Sequence, residues 1–216
     1  IVFGDWSSDV CSSDLTALNE QKNEFLGMAA HDLRNPINVI KMYSEYLFTF
    51  FDNELNEEMK EFLHTINHTS DFMSQVLEDL LDISKIEAGK LKLDISSVDY
   101  LNFIESIVKR SSMIAAKKDI HIEIIKPFSL PPLHLDAIKI EQVLNNLFSN
   151  ATKYSPPGET ITVELIIDEG SVITRIQDRG QGIPEHEINL LFKEFHLLST
   201  KPTGGEKSTG LGLAIT

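Results

Sequence analysis

A chain of 216 residues with 42% hydrophobic and 24% charged side chains can bury one or two cores without disulfides or metals. Its net charge of −14 weighs against a nucleic-acid partner, whose phosphates it would repel, and the single cysteine, Cys11, excludes an internal disulfide and a multi-cysteine metal site. No apolar run approaches the ~18 residues of a membrane-spanning helix and no signal peptide opens the chain, so a cytoplasmic, soluble core is expected, with any membrane attachment left to segments outside it.

Residues 1–14 (IVFGDWSSDVCSSD) show neither helical nor strand period. They read as a non-native or disordered leader, similar to translated sequencing-adapter read-through, and stand apart from the fold. From about Leu15 to Phe50 the pattern is helical. Leu26, Ala30, Leu33, Ile37, Ile40, Ser44 and Leu47 step by four and three, as in a coiled-coil seam. Residues 51–56 connect to a second heptad series of Phe62, Ile66, Thr69, Met73, Val76, Leu80 and Ile83, which ends at Ala88-Gly89. Two antiparallel helices with one seam each bury it poorly alone, so a homodimer closing into a four-helix bundle is expected over 15–89.

After Gly89 the period changes. Leu91, Leu93 and Ile95 alternate as in a strand over 90–96, and a helix is expected over about 99–118. His121–Ile125 reads as a strand, Phe128–Leu133 as a connection around Pro131-Pro132, and Asp136 to about Lys153 as a helix stopped by Ser155-Pro-Pro-Gly158. Thr160–Ile167 and Ser171–Gln177 are β-rich runs split by Asp168-Glu-Gly170, which predicts a hairpin. Glycines and polar residues dominate from Asp178 to Thr209, and Gly210–Thr216 reads as the start of a helix. Residues 90–216 thus form an α/β domain separate from the helical hairpin.

Three groups of residues carry candidate chemistry. His31 follows the seam residue Ala30, so it points away from the seam. Asp32 is adjacent and Asn35 lies one turn on, while Pro36 removes a backbone donor inside the helix. A neutral imidazole is a good nucleophile near pH 7, and a neighbouring carboxylate can orient the ring and take its proton. Asn146 and Asn150, four apart on a helix, share one face with Lys153 a turn further, and amides plus an ammonium suit a hydrated magnesium ion and triphosphate oxygens. Asp178-Arg-Gly180-Gln-Gly182 and Thr203-Gly204-Gly205-Glu-Lys-Ser-Thr209-Gly210-Leu211-Gly212 supply turns where backbone approaches a ligand closely and offers free donors. Taken singly, these are also what a solvated histidine, an amphipathic helix and ordinary turns look like. The glycine run has neither the Walker A order nor a surrounding Rossmann βαβ unit.

Taken together the groups become specific. Phe25-Leu-Gly-Met-Ala-Ala-His31-Asp-Leu-Arg-Asn-Pro36 resembles the phosphoacceptor H-box of sensor histidine kinases, and the later segments resemble that family's N, G1, F and G2 boxes in the family's order. The resemblance covers roughly residues 15–216. It implies a dimerisation and phosphotransfer hairpin followed by an ATP-binding α/β sandwich of the gyrase, chaperone and kinase (GHKL, Bergerat) type, incomplete at its C-terminus. It also implies ATP and Mg2+ as cofactors and a response regulator receiver domain as partner.

Residue by residue, the resemblance makes His31 the phosphorylated residue, Asp32 its proton acceptor and Asn35 a water-aligning residue in dephosphorylation. Asn146 and Asn150 serve magnesium, Lys153 and Tyr154 line the nucleotide pocket, and Asp178 reads adenine beside Gly180 and Gly182. Gly204, Gly205, Gly210, Leu211 and Gly212 shape the lid and phosphate end. In the F segment Phe192-Lys-Glu194-Phe195, expected as a short apolar anchor for a lid, Glu194 replaces the family's proline. A non-catalytic dimeric scaffold and another ATPase of the same superfamily are the alternatives. His64 and His68, also four apart, read as a solvated face rather than a metal pair.

Overall fold

The computed structural model describes the backbone of residues 6–216 except Phe195 and Lys207, and side chains from residue 17 onward except those two and Asn19, Glu20 and Glu24. The chain divides into two compact units, residues 1–91 and 92–216.

The first unit is a hairpin of helix α1 (Trp6–Phe50) and helix α2 (Glu57–Glu87). Helix α1 therefore begins earlier than the sequence pattern indicated, taking in residues 6–14, while residues 1–5 lie outside the described residues. Asn56 caps α2 through Met59 N–H, and Glu57 and Glu58 place negative charge on its first turn. At the far end Gly89, at φ +62°, turns the chain out of the helix, and Lys90 N–H returns to the Lys85 carbonyl.

The two helices meet along Ala30, Ile37 and Ser44 of α1 and Leu63, Ser70, Leu77 and Ser84 of α2, all buried. The Ser44 hydroxyl donates to the Asn67 amide oxygen, and Lys22–Glu87 and Lys41–Asp71 pair across the hairpin at 2.9 and 2.6 Å. This differs from the expected seams. Only alternate members of the first series are buried, whereas Leu33, Ile40 and Leu47 are 51%, 51% and 41% exposed. On α2 Ile83 is buried as expected, but the rest of the buried stripe, Leu63, Ser70 and Leu77, runs one residue past the expected one, leaving Phe62, Ile66 and Met73 exposed. A two-helix hairpin buries only the positions that face the other helix, so heptad positions that look equivalent in sequence divide into a buried and an exposed set.

The second unit is an α/β sandwich. Strand β1 (Ser96–Val98) is followed by helix α3 (Tyr100–Ala115), a 3₁₀ turn (Ala116–Lys118), β2 (His121–Ile125), β3 (Leu133–Leu135), helix α4 (Ala137–Tyr154), β4 (Thr160–Asp168) and β5 (Ser171–Gln177). A second 3₁₀ turn (Glu185–Leu190) and helix α5 (Gly212–Ile215) follow. The main sheet has the order β2-β4-β5, with β2 parallel and β5 antiparallel to β4. β1 and β3 form a separate antiparallel pair.

The expected strand over 90–96 is not formed. Leu93 and Ile95 are more than half exposed, the Asp94 N–H is taken by the Asp136 carboxylate, and pairing begins only at Ser96. Leu133, expected in a connection, opens β3. Alternation without a partner strand does not make a strand, since pairing supplies the stabilisation.

Tyr100, Ile104, Ile107 and Val108 of α3 and Leu144 and Phe148 of α4 pack on Val163 and Leu165 of β4. Ala115, Ile120, Ala151 and Ile161 extend that core. Asp99 and Asp136 cap α3 and α4. Because α4 buries Leu144, Phe148 and Ala151, the residues between them, Asn146 and Asn150, lie on its outer side, half-buried.

Candidate phosphoacceptor and nucleotide sites

His31 comes one residue after Ala30, which is fully buried in the hairpin. Its side chain is therefore turned to solvent, 71% exposed, with Nδ1 3.3 Å from Asp32 Oδ1. Asn35, one turn on, is exposed as well. In the tautomer that donates Nδ1–H to the carboxylate, the Nε2 lone pair is the one left for an electrophile. Pro36 lies inside α1, as read from the sequence.

In the second unit the structure brings three separated segments to α4, two of them to its carbonyl end. The Asn146 side-chain N–H donates to the Gly212 carbonyl oxygen at 3.2 Å, joining α4 to the last turn of the glycine run. Gly180 lies against the Tyr154 carbonyl: a Cβ there would stand 2.9 Å from that oxygen and 2.8 Å from Asp178 Oδ1. The Gly180 N–H donates to Asp178 Oδ1 at 2.8 Å, so this carboxylate shapes its own turn while remaining exposed. Thr203 donates its N–H to the Lys153 carbonyl at 2.9 Å and its hydroxyl to the Ser155 carbonyl at 2.7 Å. Gly182, Gly205 and Gly210 have φ of +72°, +73° and +71°, a region that side chains disfavour.

Lys153 and Tyr154 are half-buried on the last turn of α4, and Leu211 is fully buried beside Gly210 and Gly212. In the F segment Phe192 is 67% exposed rather than buried as an anchor, and Phe195 lies outside the described residues. The Gly204–Gly205 turn is held by Thr203 and Glu206 of its own segment and by Lys118, which no sequence pattern singled out. A lysine ahead of a strand carries no motif, and only the fold brings it to α4.

Among the described residues no group of three or more His, Cys, Asp or Glu converges as a metal cage. Magnesium needs none, because it keeps several waters and takes one or two side-chain ligands together with substrate phosphates. Asn146 gives an amide N–H to the Gly212 carbonyl and has an amide oxygen besides, and Asn150 lies one turn on. The amide pair fits such an ion. His64 and His68 are both exposed, and the His64 ring packs edge-on against Phe48.

A helical hairpin bearing an exposed histidine is followed by an α/β unit whose glycine turns gather on an amide-bearing helix, the arrangement of a candidate phosphoacceptor and a candidate nucleotide site. Residues 21–89 match the family described as His Kinase A (phospho-acceptor) domain, and residues 135–216 the Histidine kinase-, DNA gyrase B-, and HSP90-like ATPase. The chain belongs to the sensor histidine kinases: it holds the protein-histidine kinase core of two-component signalling, with an ATP-binding domain of this superfamily.

The aerobic respiration control sensor protein ArcB of Escherichia coli (strain K12) is 30% identical over 203 residues, covering 93% of this chain and 25% of that protein. The chain thus spans about a quarter of the length of the first curated relatives it matches. The Acinetobacter baumannii histidine kinase AdeS superposes with a TM-score of 0.57 at 26% identity, over 86% of this chain and 83% of that one. The structure of full-length ShkA in complex with AMPPNP shares the fold, with a TM-score of 0.70 at 23% identity over 89% of this chain and 39% of that one. No helix among the described residues is long and apolar enough to cross a membrane.

Proposed function

We propose that this chain transfers the γ-phosphoryl group of ATP to its own His31 and passes it on to an aspartate of a response regulator receiver domain. The observation that carries the reading is the exposed His31 ring with Nδ1 against Asp32, on a hairpin that precedes the α4 amide pair and its glycine turns. In the transfer, His31 Nε2 forms a bond to the γ-phosphorus and the bond from that phosphorus to the β–γ bridging oxygen breaks. ADP leaves with the electron pair, and the imidazole proton on Nδ1 passes to Asp32. Catalysis of this kind is positioning and charge neutralisation.

Asn146 and Asn150 hold Mg2+, which supplies positive charge for the triphosphate. Lys153 and Tyr154 line the pocket, and Asp178 accepts a hydrogen bond from the adenine amino group with Gly180 and Gly182 allowing close approach. Gly204, Gly205, Gly210, Leu211 and Gly212 border the phosphates. Asn35 aligns a water when the phosphorylated regulator is hydrolysed. The exposed stripe of Leu33, Ile40, Phe62, Ile66 and Met73 supports a homodimer closed as a four-helix bundle.

The test is uptake of label from γ-labelled ATP with magnesium, beside nucleotide titrations. His31→Gln should bind ATP yet take no label; Asn150→Ala should lose both. Equal labelling of His31→Gln and the parent overturns the reading.

A further inference from the structure

Lys118, the last residue of the 3₁₀ turn after α3, has a side chain only 14% exposed. Its ammonium donates to three acceptors, each at 2.9 Å: the Thr152 carbonyl, the Lys153 carbonyl and Glu206 Oε1. All three N–H groups of the ammonium are thereby used, and the charge stands at the negative end of α4, where it is favoured. The second Glu206 oxygen accepts the Gly204 N–H at 2.9 Å.

Burial pushes the Glu206 carboxyl up, but the Lys118 ammonium and backbone N–H groups, including that of Gly204, hold it below the usual range. The carboxylate folds back so closely that a Cβ on Gly204 would stand 2.9 Å from Glu206 Oε1. A side chain there would have to displace the carboxylate. With the two Thr203 bonds to Lys153 and Ser155, residues 203–206 are tied to the same helical turn that carries Lys153 and Tyr154. A loop with two adjacent glycines otherwise loses much backbone entropy when it orders around a ligand. Ordering it beforehand raises affinity.

We infer that Lys118 and Glu206 are positioning residues: an ion-pair latch that fixes the Gly204–Gly205 turn on the carbonyl end of α4 before ATP arrives. The inference rests on the nucleotide-site reading above. Neither residue needs to touch ATP, since each acts through the loop.

The test has two arms, run on the whole chain and on Lys118→Met, Glu206→Gln, their double variant, Lys118→Arg and Asn150→Ala. The first arm follows amide hydrogen exchange without nucleotide. Thr203 and Gly204 should exchange faster in Lys118→Met and Glu206→Gln, with β4 amides unchanged; unchanged exchange at Thr203 and Gly204 overturns the latch. The second arm is titration with ADP. Lys118→Met and Glu206→Gln should each weaken binding about 5-fold, the size of a modest coupling between sites. The double variant should lose no more than either, and Lys118→Arg should retain most of the affinity. Additive losses overturn a shared latch, and tighter binding by Glu206→Gln overturns preordering by showing that the carboxylate competes with phosphate. Failure of Asn150→Ala to weaken ADP binding counts against the nucleotide-site reading instead, and the exchange arm still decides the latch. If Lys118→Met does not fold, Glu206→Gln, at a half-buried loop position, carries both arms.

Discussion

Asn146 and Gly212, sixty-six positions apart, are joined by one hydrogen bond of 3.2 Å from the asparagine amide to the glycine carbonyl. That bond sets the helix carrying the paired amides against the turn that ends the glycine run. A Cβ on Gly212 would lie 3.5 Å from the Asn146 amide, in ordinary contact. Gly212→Ala should therefore leave stability within about 0.5 kcal/mol of the parent. Asn146→Ala should lower it by about 1 kcal/mol, the net worth of a typical hydrogen bond. It should also remove the magnesium-dependent part of ATP affinity. Urea unfolding, and titrations with and without magnesium, check both.

Gly180 and Gly182 are both glycines for different reasons. At Gly180 the obstacle is contact with the Tyr154 carbonyl, whereas Gly182 has open space but a φ of +72°. Gly180→Ala should cost about 1–3 kcal/mol by overpacking and push the Asp178 turn off α4. Gly182→Ala should cost roughly 1–2 kcal/mol through its left-handed backbone and leave that contact in place. Adenine-nucleotide affinity should accordingly fall further in Gly180→Ala. Equal affinities in the two variants would contradict the assignment.

The hairpin separates its own core from the face it offers outward. Ile37 is 4% exposed and Ile40 51% exposed, although both belong to one heptad series. Ile37→Ala should destabilise the hairpin by about 2–5 kcal/mol. Ile40→Glu should preserve helicity and shift sedimentation from dimer to monomer. A dimer unaffected by Ile40→Glu would show that this stripe is not the interface.

Asp136 caps α4 through Lys139 N–H and also accepts the Asp94 N–H at 2.9 Å. The Asp94 N–H, followed by that of Lys139, holds its carboxyl below the usual value of 3.8. A depressed carboxyl stabilises the fold fully above the unfolded value, and that contribution is lost as pH falls through the lower folded one. Melting temperature should therefore carry no Asp136 contribution to its pH dependence near neutrality and should fall below about pH 4. Asp136→Ala should melt lower at pH 7 and show a shallower acid decline; a decline as steep as the parent's would assign it to other carboxylates.

Much of this was legible from residue order. The long helices declared themselves through period and their stops at Ala88-Gly89 and Ser155-Pro-Pro-Gly158, the β4–β5 hairpin through Asp168-Glu-Gly170, and the exposure of His31 through its place after Ala30. Segments 90–96 and 128–133 were not, because Leu91, Leu93 and Ile95 alternate without a partner while Leu133–Leu135 finds one in Ser96–Val98. Pairing is a tertiary fact that local alternation does not encode. The division of one heptad series into a buried and an exposed set was hidden for the same reason, as was the meeting of Lys118 with Glu206 across 88 positions.

The most direct test of the central claim is the chemical form of the phosphate the chain acquires. After incubation with γ-labelled ATP and magnesium, the label should be lost in acid, survive alkali, map to the peptide containing His31 and be absent from His31→Gln. Label that survives acid, or that persists in His31→Gln, would contradict the account.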